Sequence, residues 1–184
     1  MAGVVGLFAL VEASGAHVQE PDPQFRRQIV DYETAELAGT IVVDPGQRFL
    51  YLVLNGGAAL RYGVSVGREG ASWSGRATVR RKAEWPTWTP TKRMIQREPK
   101  LARWARGMPG GPRNPLGARA LYLYQGDQDT LYRIHGTNEP WSIGRAVSSG
   151  CIRLLNDDIT DLYTRVPLGT SVLVLAGDVL ASEF

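Results

Sequence analysis

Residues 134–154 read IHGTNEPWSIGRAVSSGCIRL, and the stretch holds the single cysteine of the chain and one of its two histidines. Cys151 follows Ser148-Ser149-Gly150, and His135, sixteen positions earlier, closes the run Tyr132-Arg133-Ile134-His135 ahead of Gly136. A lone cysteine is most simply a small buried hydrophobe, and a lone histidine a satisfied polar group. The surroundings favour chemistry. Two serines and a glycine suit an exposed turn better than a packed strand, and glycine lets backbone N–H groups approach a substrate oxygen with no Cβ in the way. A thiol needs a base or a positive neighbour to become a thiolate at neutral pH, and His135 is the one histidine beyond the N-terminal segments, the other being His17 at the leader's edge. These two residues form the one Cys/His pair on offer.

Outward from that stretch the texture is mainly β. The β-branched run 40–43, a turn at Asp44-Pro45-Gly46-Gln47 and a second apolar run 48–54 read as paired strands. Asn55-Gly56-Gly57 is a hairpin turn leading into a third strand, 59–66. Residues 120–124 and 130–134 read as another pair around Gln125-Gly126-Asp127-Gln128-Asp129. Downstream, Ile159, Leu162, Tyr163 and Val166 fall at helical spacing, with Asn156 or Asp157 available as the cap. Pro167-Leu168-Gly169 stops that helix, and 171–175 is a final strand. Residues 70–118, with Trp73, Trp85, Trp88 and Trp104 among prolines, glycines and arginines, read as a long excursion over the sheet containing one short helix within 91–106. Residues 17–38 read as a polar lead-in in which 25–37 can form a short helix.

The 134–154 stretch resembles the catalytic domain of the L,D-transpeptidases (YkuD type), which pairs an HG-T histidine with a cysteine in S-x-G-C-hydrophobic-[RN] across a loop. The resemblance extends through 39–54, through Asn114-Pro115-Leu116-Gly117 and through 155–175, so it covers about 39–175. It implies a mainly β, curled β-sandwich with one or two short helices, and a covalent cysteine mechanism without a cofactor. Under it, Cys151 matches the nucleophile and His135 the general base, with the Gly136 carbonyl orienting the imidazole in place of a triad carboxylate. The N–H groups of Ser149, Gly150 and Cys151 match an oxyanion hole, and Arg153 a position beside the nucleophile associated with substrate contact. Many members carry a second histidine directly before the Gly-Cys; here Ser149 stands there, which places the whole base role on His135. The implied substrates are peptidoglycan stem peptides, with a second stem, an envelope lipoprotein or outer-membrane protein, or water as acceptor. Carbapenems, which resemble the acyl donor, are implied covalent inhibitors. Same-fold alternatives are an L,D-carboxypeptidase and a hydrolase releasing wall-linked protein. A non-catalytic wall-binding module is the alternative of another class.

Composition sets the outer limits. At 184 residues the chain is one domain's worth, able to bury roughly 70% of its unfolded surface. Net charge is +3 and the longest basic block is Arg80-Arg81-Lys82, a poor footprint for nucleic acid. One cysteine and two histidines rule out a disulfide framework and a Cys/His zinc site from this chain alone. The apolar run 4–11, followed by Ala13-Ser14-Gly15-Ala16, reads as a secretory signal (1–16) truncated at its basic start, with a plain N-terminal helix or tail as the alternative. Export to the periplasm follows from the signal reading. The domain plan is then the leader 1–16, the lead-in 17–38, a catalytic domain 39–176 and a tail 177–184.

Several features carry two readings. The four tryptophans of the excursion either anchor it or line a groove, and Trp141 either touches wall substrate or is merely exposed. Arg76, Arg80, Arg81 and Lys82 form a solvated face or attract stem carboxylates. Asn156-Asp157-Asp158 caps the helix or binds a metal, and capping is the simpler account.

Overall fold

The computed structural model describes residues 22–68 and 73–177; the leader reading of 1–16 and all but the first residue of the tail lie outside the described residues. In chain order the strands are β1 (Gln28–Asp31), β2 (Ile41–Asp44), β3 (Phe49–Val53), β4 (Ala58–Gly63), β5 (Val66–Gly67), β6 (Gly75–Glu84), β7 (Arg119–Gln125), β8 (Gln128–His135), β9 (Ala146–Ser148), β10 (Ile152–Arg153) and β11 (Ser171–Val174). Two helices, α1 (Lys92–Arg97) and α2 (Asn156–Arg165), complete the frame. Among the described residues, nine strands form one mixed sheet in the order β1-β4-β3-β2-β11-β6-β7-β8-β10, and β5 pairs with β9 beside it.

Hairpin chemistry explains the first half. Asp44 Oδ1 accepts from the Gln47 N–H at 2.9 Å in the β2–β3 turn, and Gly56 and Gly57 take φ of 77° and 73° in the β3–β4 turn, a region glycine enters without a Cβ penalty. Register then aligns Ile41, Leu52 and Leu60 across three strands. Residues from both ends of the sheet, Leu50 and Tyr62 at one and Leu121 and Ile134 at the other, share one core cluster with Leu154, Ile159 and Leu162. A flat sheet of that width cannot bring them together, so the sheet curls around its own core, and a bridge between Ser65 and Arg153 ties the two ends. Each fully buried Leu or Ile contributes about 1.5–3 kcal/mol.

Two sequence expectations give way. Residues 25–37 do not form a helix. A 3-10 turn at Pro23–Phe25 leads into β1, which extends the sheet on β4. Phe25 is the anchor: its ring sits 5.4 Å from that of Phe49, and it covers Gly63 and Gly144 so closely that a Cβ at either would collide with it. Gln28–Asp31 of the lead-in are therefore part of the sheet. The excursion is also shorter than 70–118, because β6 occupies its start, between β11 and β7. Of the basic residues that read as a solvated face, Arg76, Arg80 and Arg81 are exposed, and each also has a partner. Arg76 pairs with Glu36 at 2.6 Å, Arg80 with Asp127, and Arg81 lies 4.4 Å over the Tyr122 ring. Lys82 donates to the Tyr163 and Val166 carbonyls at 2.6 and 2.7 Å, capping the end of α2.

The remaining excursion is held by Asn114, fully buried, whose Nδ2 lies 3.0 Å from the carbonyls of Pro86, Met108 and Pro109. Trp73 stacks on Tyr132 at 5.5 Å and joins the core, which is anchoring; Trp85 is half-exposed. No described helix is long and apolar enough to cross a membrane.

Candidate active site

The base candidate is set by strand pairing. β8 ends on His135, and β10 runs parallel to it with Ile152 opposite Ile134 and Arg153 opposite His135. One step back along that register puts Cys151 opposite Arg133. Alternation along strands then gives Cys151, Arg133, His135 and Arg153 one face, while Ile134 and Ile152 point into the core. The Leu154 N–H donates to the His135 carbonyl at 2.8 Å and continues the zip.

His135 is buried, and its Nδ1 lies 2.6 Å from the Gly136 carbonyl. A carbonyl can only accept, so this contact puts the proton of the neutral ring on Nδ1. Burial, reinforced by the Arg153 and Arg133 guanidinium groups, holds the imidazole down to about 4, against the pull of its backbone hydrogen bonds to Gly136 and Leu116. Burial likewise pushes the Cys151 thiol up, opposed by a backbone hydrogen bond from Arg133 and by the charges of Arg133 and Arg153. The residue as a whole is partly exposed. At neutral pH the pair therefore rests as thiol and neutral imidazole rather than as an ion pair.

The turn before Cys151 is stapled by Ser148. Its Oγ donates to the Cys151 carbonyl at 2.6 Å and accepts from the Gly150 N–H at 3.1 Å. Gly150 takes φ 130°, which a side chain would resist. Of the three expected oxyanion donors, the Gly150 N–H is thus already engaged. The Ser149 and Cys151 N–H groups have no partner among the described residues.

Arg153 does not reach out empty-handed. Its Nη1 donates to Glu139 Oε2 at 2.8 Å, with the two side chains 20% and 44% exposed. Glu139 is itself pinned, its N–H on Thr137 Oγ1 at 2.9 Å and its carbonyl accepting from Ser142 Oγ at 2.7 Å. Trp141, on the 3-10 turn Pro140–Ser142, is half-exposed in the same loop. Arg133 is held by a bidentate bond to Asp129 at 2.7 and 2.8 Å.

Asn156 is the residue the sequence placed wrongly. It is the first residue of α2 but caps nothing; Leu155 holds the cap position without a side-chain bond. Its amide instead reaches the end of β8. Oδ1 accepts from the N–H groups of Ala118 (2.9 Å) and Thr137 (3.2 Å), and Nδ2 donates to the Thr137 carbonyl at 3.0 Å. A Cβ at Gly117 or Gly136 would run into that Oδ1, which accounts for both glycines. Asp158 turns away, buried near Arg27 at 3.8 Å, so Asn156 and Asp158 do not converge on a metal.

Residues 38–174 match the family model of the L,D-transpeptidase catalytic domain, YkuD. The chain belongs to this family. Among curated relatives, it is similar to the probable L,D-transpeptidase YbiS of Escherichia coli K12, 38% identical over 142 residues, covering 72% of this chain and 43% of the relative. The chain spans less than half the length of the curated relatives it matches. A Brucella melitensis crystal structure named a probable carnitine operon oxidoreductase, CaiA, is 55% identical, covers 84% of this chain and 96% of its own, and superposes with a TM-score of 0.59. L,D-transpeptidase 3 of Mycobacterium tuberculosis, in complex with a faropenem-derived adduct, shares the fold at 19% identity and TM-score 0.53, covering 76% of this chain and 60% of its own. The mainly β L,D-transpeptidase fold expected of 39–175 is thus the one observed.

Proposed function

We propose that this domain is a peptidoglycan L,D-transpeptidase in which Cys151 is the nucleophile and His135 the general base. The observation that carries the reading is the β8–β10 register, which sets Cys151, one residue ahead of β10, on the same face as His135, with the imidazole Nδ1 bound to the Gly136 carbonyl. In this mechanism the thiol proton passes to His135 Nε2 as Sγ attacks the carbonyl at the L-centre of the third stem residue. The N–H groups of Ser149 and Cys151 receive the oxyanion; Gly150, stapled to Ser148, shapes the turn and joins them only if that bond opens. Collapse of the tetrahedral adduct breaks the peptide bond, and the imidazolium returns its proton to the departing D-alanine amine. The thioester is then taken by an amine, which loses a proton to His135, giving a stem crosslink or a protein anchor. Water as acceptor gives the carboxypeptidase product. Splitting acyl transfer through a thioester converts one hard step into two easier ones.

In this reading Arg153, released in part from Glu139, holds a donor carboxylate, and Trp141 touches the glycan or stem. Export to the periplasm, with 1–16 as leader and 39–176 as the catalytic unit, belongs to the same reading, as does acylation by carbapenems; the M. tuberculosis relative with its faropenem-derived adduct supports that choice of probe. Incubation with a disaccharide-tetrapeptide, read by mass, tests it. Loss of the terminal residue with crosslinked or hydrolysed product is expected. Binding without turnover would leave a wall-binding module.

A further inference from the structure

We propose that Asn156 is the positioning residue that fixes the tautomer and direction of the His135 imidazole. The inference rests on the reading of His135 as the base and names what holds it in that role. The peptide unit joining Gly136 to Thr137 is planar and trans, so its C=O and its N–H point in opposite directions from one rigid plate. The Gly136 carbonyl on one edge of that plate accepts from His135 Nδ1 at 2.6 Å. The Thr137 N–H on the other edge donates to Asn156 Oδ1 at 3.2 Å. Holding the N–H therefore aims the carbonyl.

Asn156 holds the plate in more than one way. Its Nδ2 donates to the next carbonyl, that of Thr137, at 3.0 Å, so the amide grips Thr137 on both its N–H and its C=O. The same Oδ1 takes the Ala118 N–H at 2.9 Å, which moors the clamp to the start of β7's neighbour loop. The fit leaves no room for a Cβ at Gly117 or Gly136. An asparagine is the residue type that satisfies this arrangement: it presents an acceptor and a donor on one planar head. Aspartate offers only acceptors and leucine neither. The same chain segment carries Cys151 five residues earlier, so one stretch supplies the nucleophile and the clamp on its base.

The test reads the imidazole directly. With only two histidines in the chain, His135 is resolvable by 15N NMR on labelled protein. Wild type should show the Nδ1–H tautomer. Asn156→Ala should give a mixture with Nε2–H and slow carbapenem acylation at least about tenfold with little change in donor affinity, since a base in the wrong tautomer loses up to ~10⁴ in related triads. Asn156→Asp keeps the acceptor for the Thr137 N–H and should retain the tautomer, a rescue that a merely structural role does not require. If the alanine variant fails to fold by circular dichroism, Asn156→Ser, which keeps a polar group too short for the clamp, carries the same expectation. A folded alanine or serine variant that keeps a pure Nδ1–H tautomer and an acylation rate within twofold of wild type overturns the proposal. Because the tautomer is read without substrate, a wild type that never acylates would remove the transpeptidase reading and leave this test standing.

Discussion

Helix α2 serves two polar clusters that treat their titratable groups in opposite ways. Near its first residue, Asn156, is a pole where buried His135 and partly exposed Cys151 lie without a countercharge of their own, and burial disfavours the charged form of each. One turn further on, Asp161 is surrounded: Tyr62 donates to it at 2.7 Å, Arg165 at 2.8 and 3.0 Å, and Arg27 pairs at 3.0 Å. Its carboxyl is held down to about 2, chiefly by Arg165. A charge ringed by partners stays ionised; buried groups without a countercharge rest neutral and have their titration shifted. The two arginines nearest the pole fit the same contrast, since Arg133 and Arg153 are already spoken for by Asp129 and Glu139.

The sharpest break of that comparison is Cys151→Ala. Intact-mass spectra of wild type with a carbapenem should gain one drug mass, and the variant none; an adduct on the variant would move the chemistry elsewhere. Next is His135→Ala, which should slow acylation about a hundredfold or more. Here the pH profile carries extra information. A base titrating near 4 stays unprotonated at neutral pH, so the wild-type rate should hold as pH falls to about 5 and drop only as pH passes about 4. An acid limb near the ordinary histidine value of about 6.5 would mean the imidazole is not shielded as described.

Arg153→Ala should come third, slowing tetrapeptide acylation about tenfold while reaction of Cys151 with a small neutral alkylating agent changes much less. Equal losses in both reactions would assign the Arg153–Glu139 pair to loop structure. At the other cluster, Tyr62→Phe removes the hydrogen bond to Asp161 and should cost about 1 kcal/mol of stability, read by urea unfolding, with acylation unchanged. A Tyr62 variant that loses acylation at full stability would erase the division between the two clusters.

The sequence made the hairpins legible because their turns carry their own chemistry: Asn55-Gly56-Gly57 can do little else. It made Cys151 and His135 legible because each is scarce and flanked by glycine. β6 was hidden because its outward face is arginine and lysine, and only Ala77 and Val79 are fully buried from it; what satisfies those basic heads is Glu36, Asp127 and the end of α2, all distant in sequence. β1 was hidden for a similar reason, since Phe25 finds its seat against Gly63 and Gly144. Asn156 looked like a cap because a polar residue at a helix start usually is one. Its partners, Ala118 and Thr137, are 38 and 19 residues away.

The smallest effect concerns stability against pH, where the two clusters should offset each other. His135 titrates near 4 in the folded chain against about 6.5 unfolded, so between those values the unfolded chain binds more protons and stability rises with pH. Asp158 runs the other way. Burial raises its carboxyl to about 6, above the ordinary value of 3.8, so from about 4 to 6 the folded chain holds the extra proton and stability falls as pH rises. Asp161, held near 2, contributes stability that is fully present above its unfolded value of 3.8 and lost only as pH falls toward 2. Across pH 4 to 6 the opposed slopes of His135 and Asp158 should leave the wild-type Tm nearly flat. Asp158→Asn removes one slope, so its Tm should climb with pH over that window, while His135→Gln should make Tm decline. Melting curves at half-unit pH steps decide it. An Asp158→Asn profile parallel to wild type would show that the carboxyl by Arg27 is not held protonated by its burial.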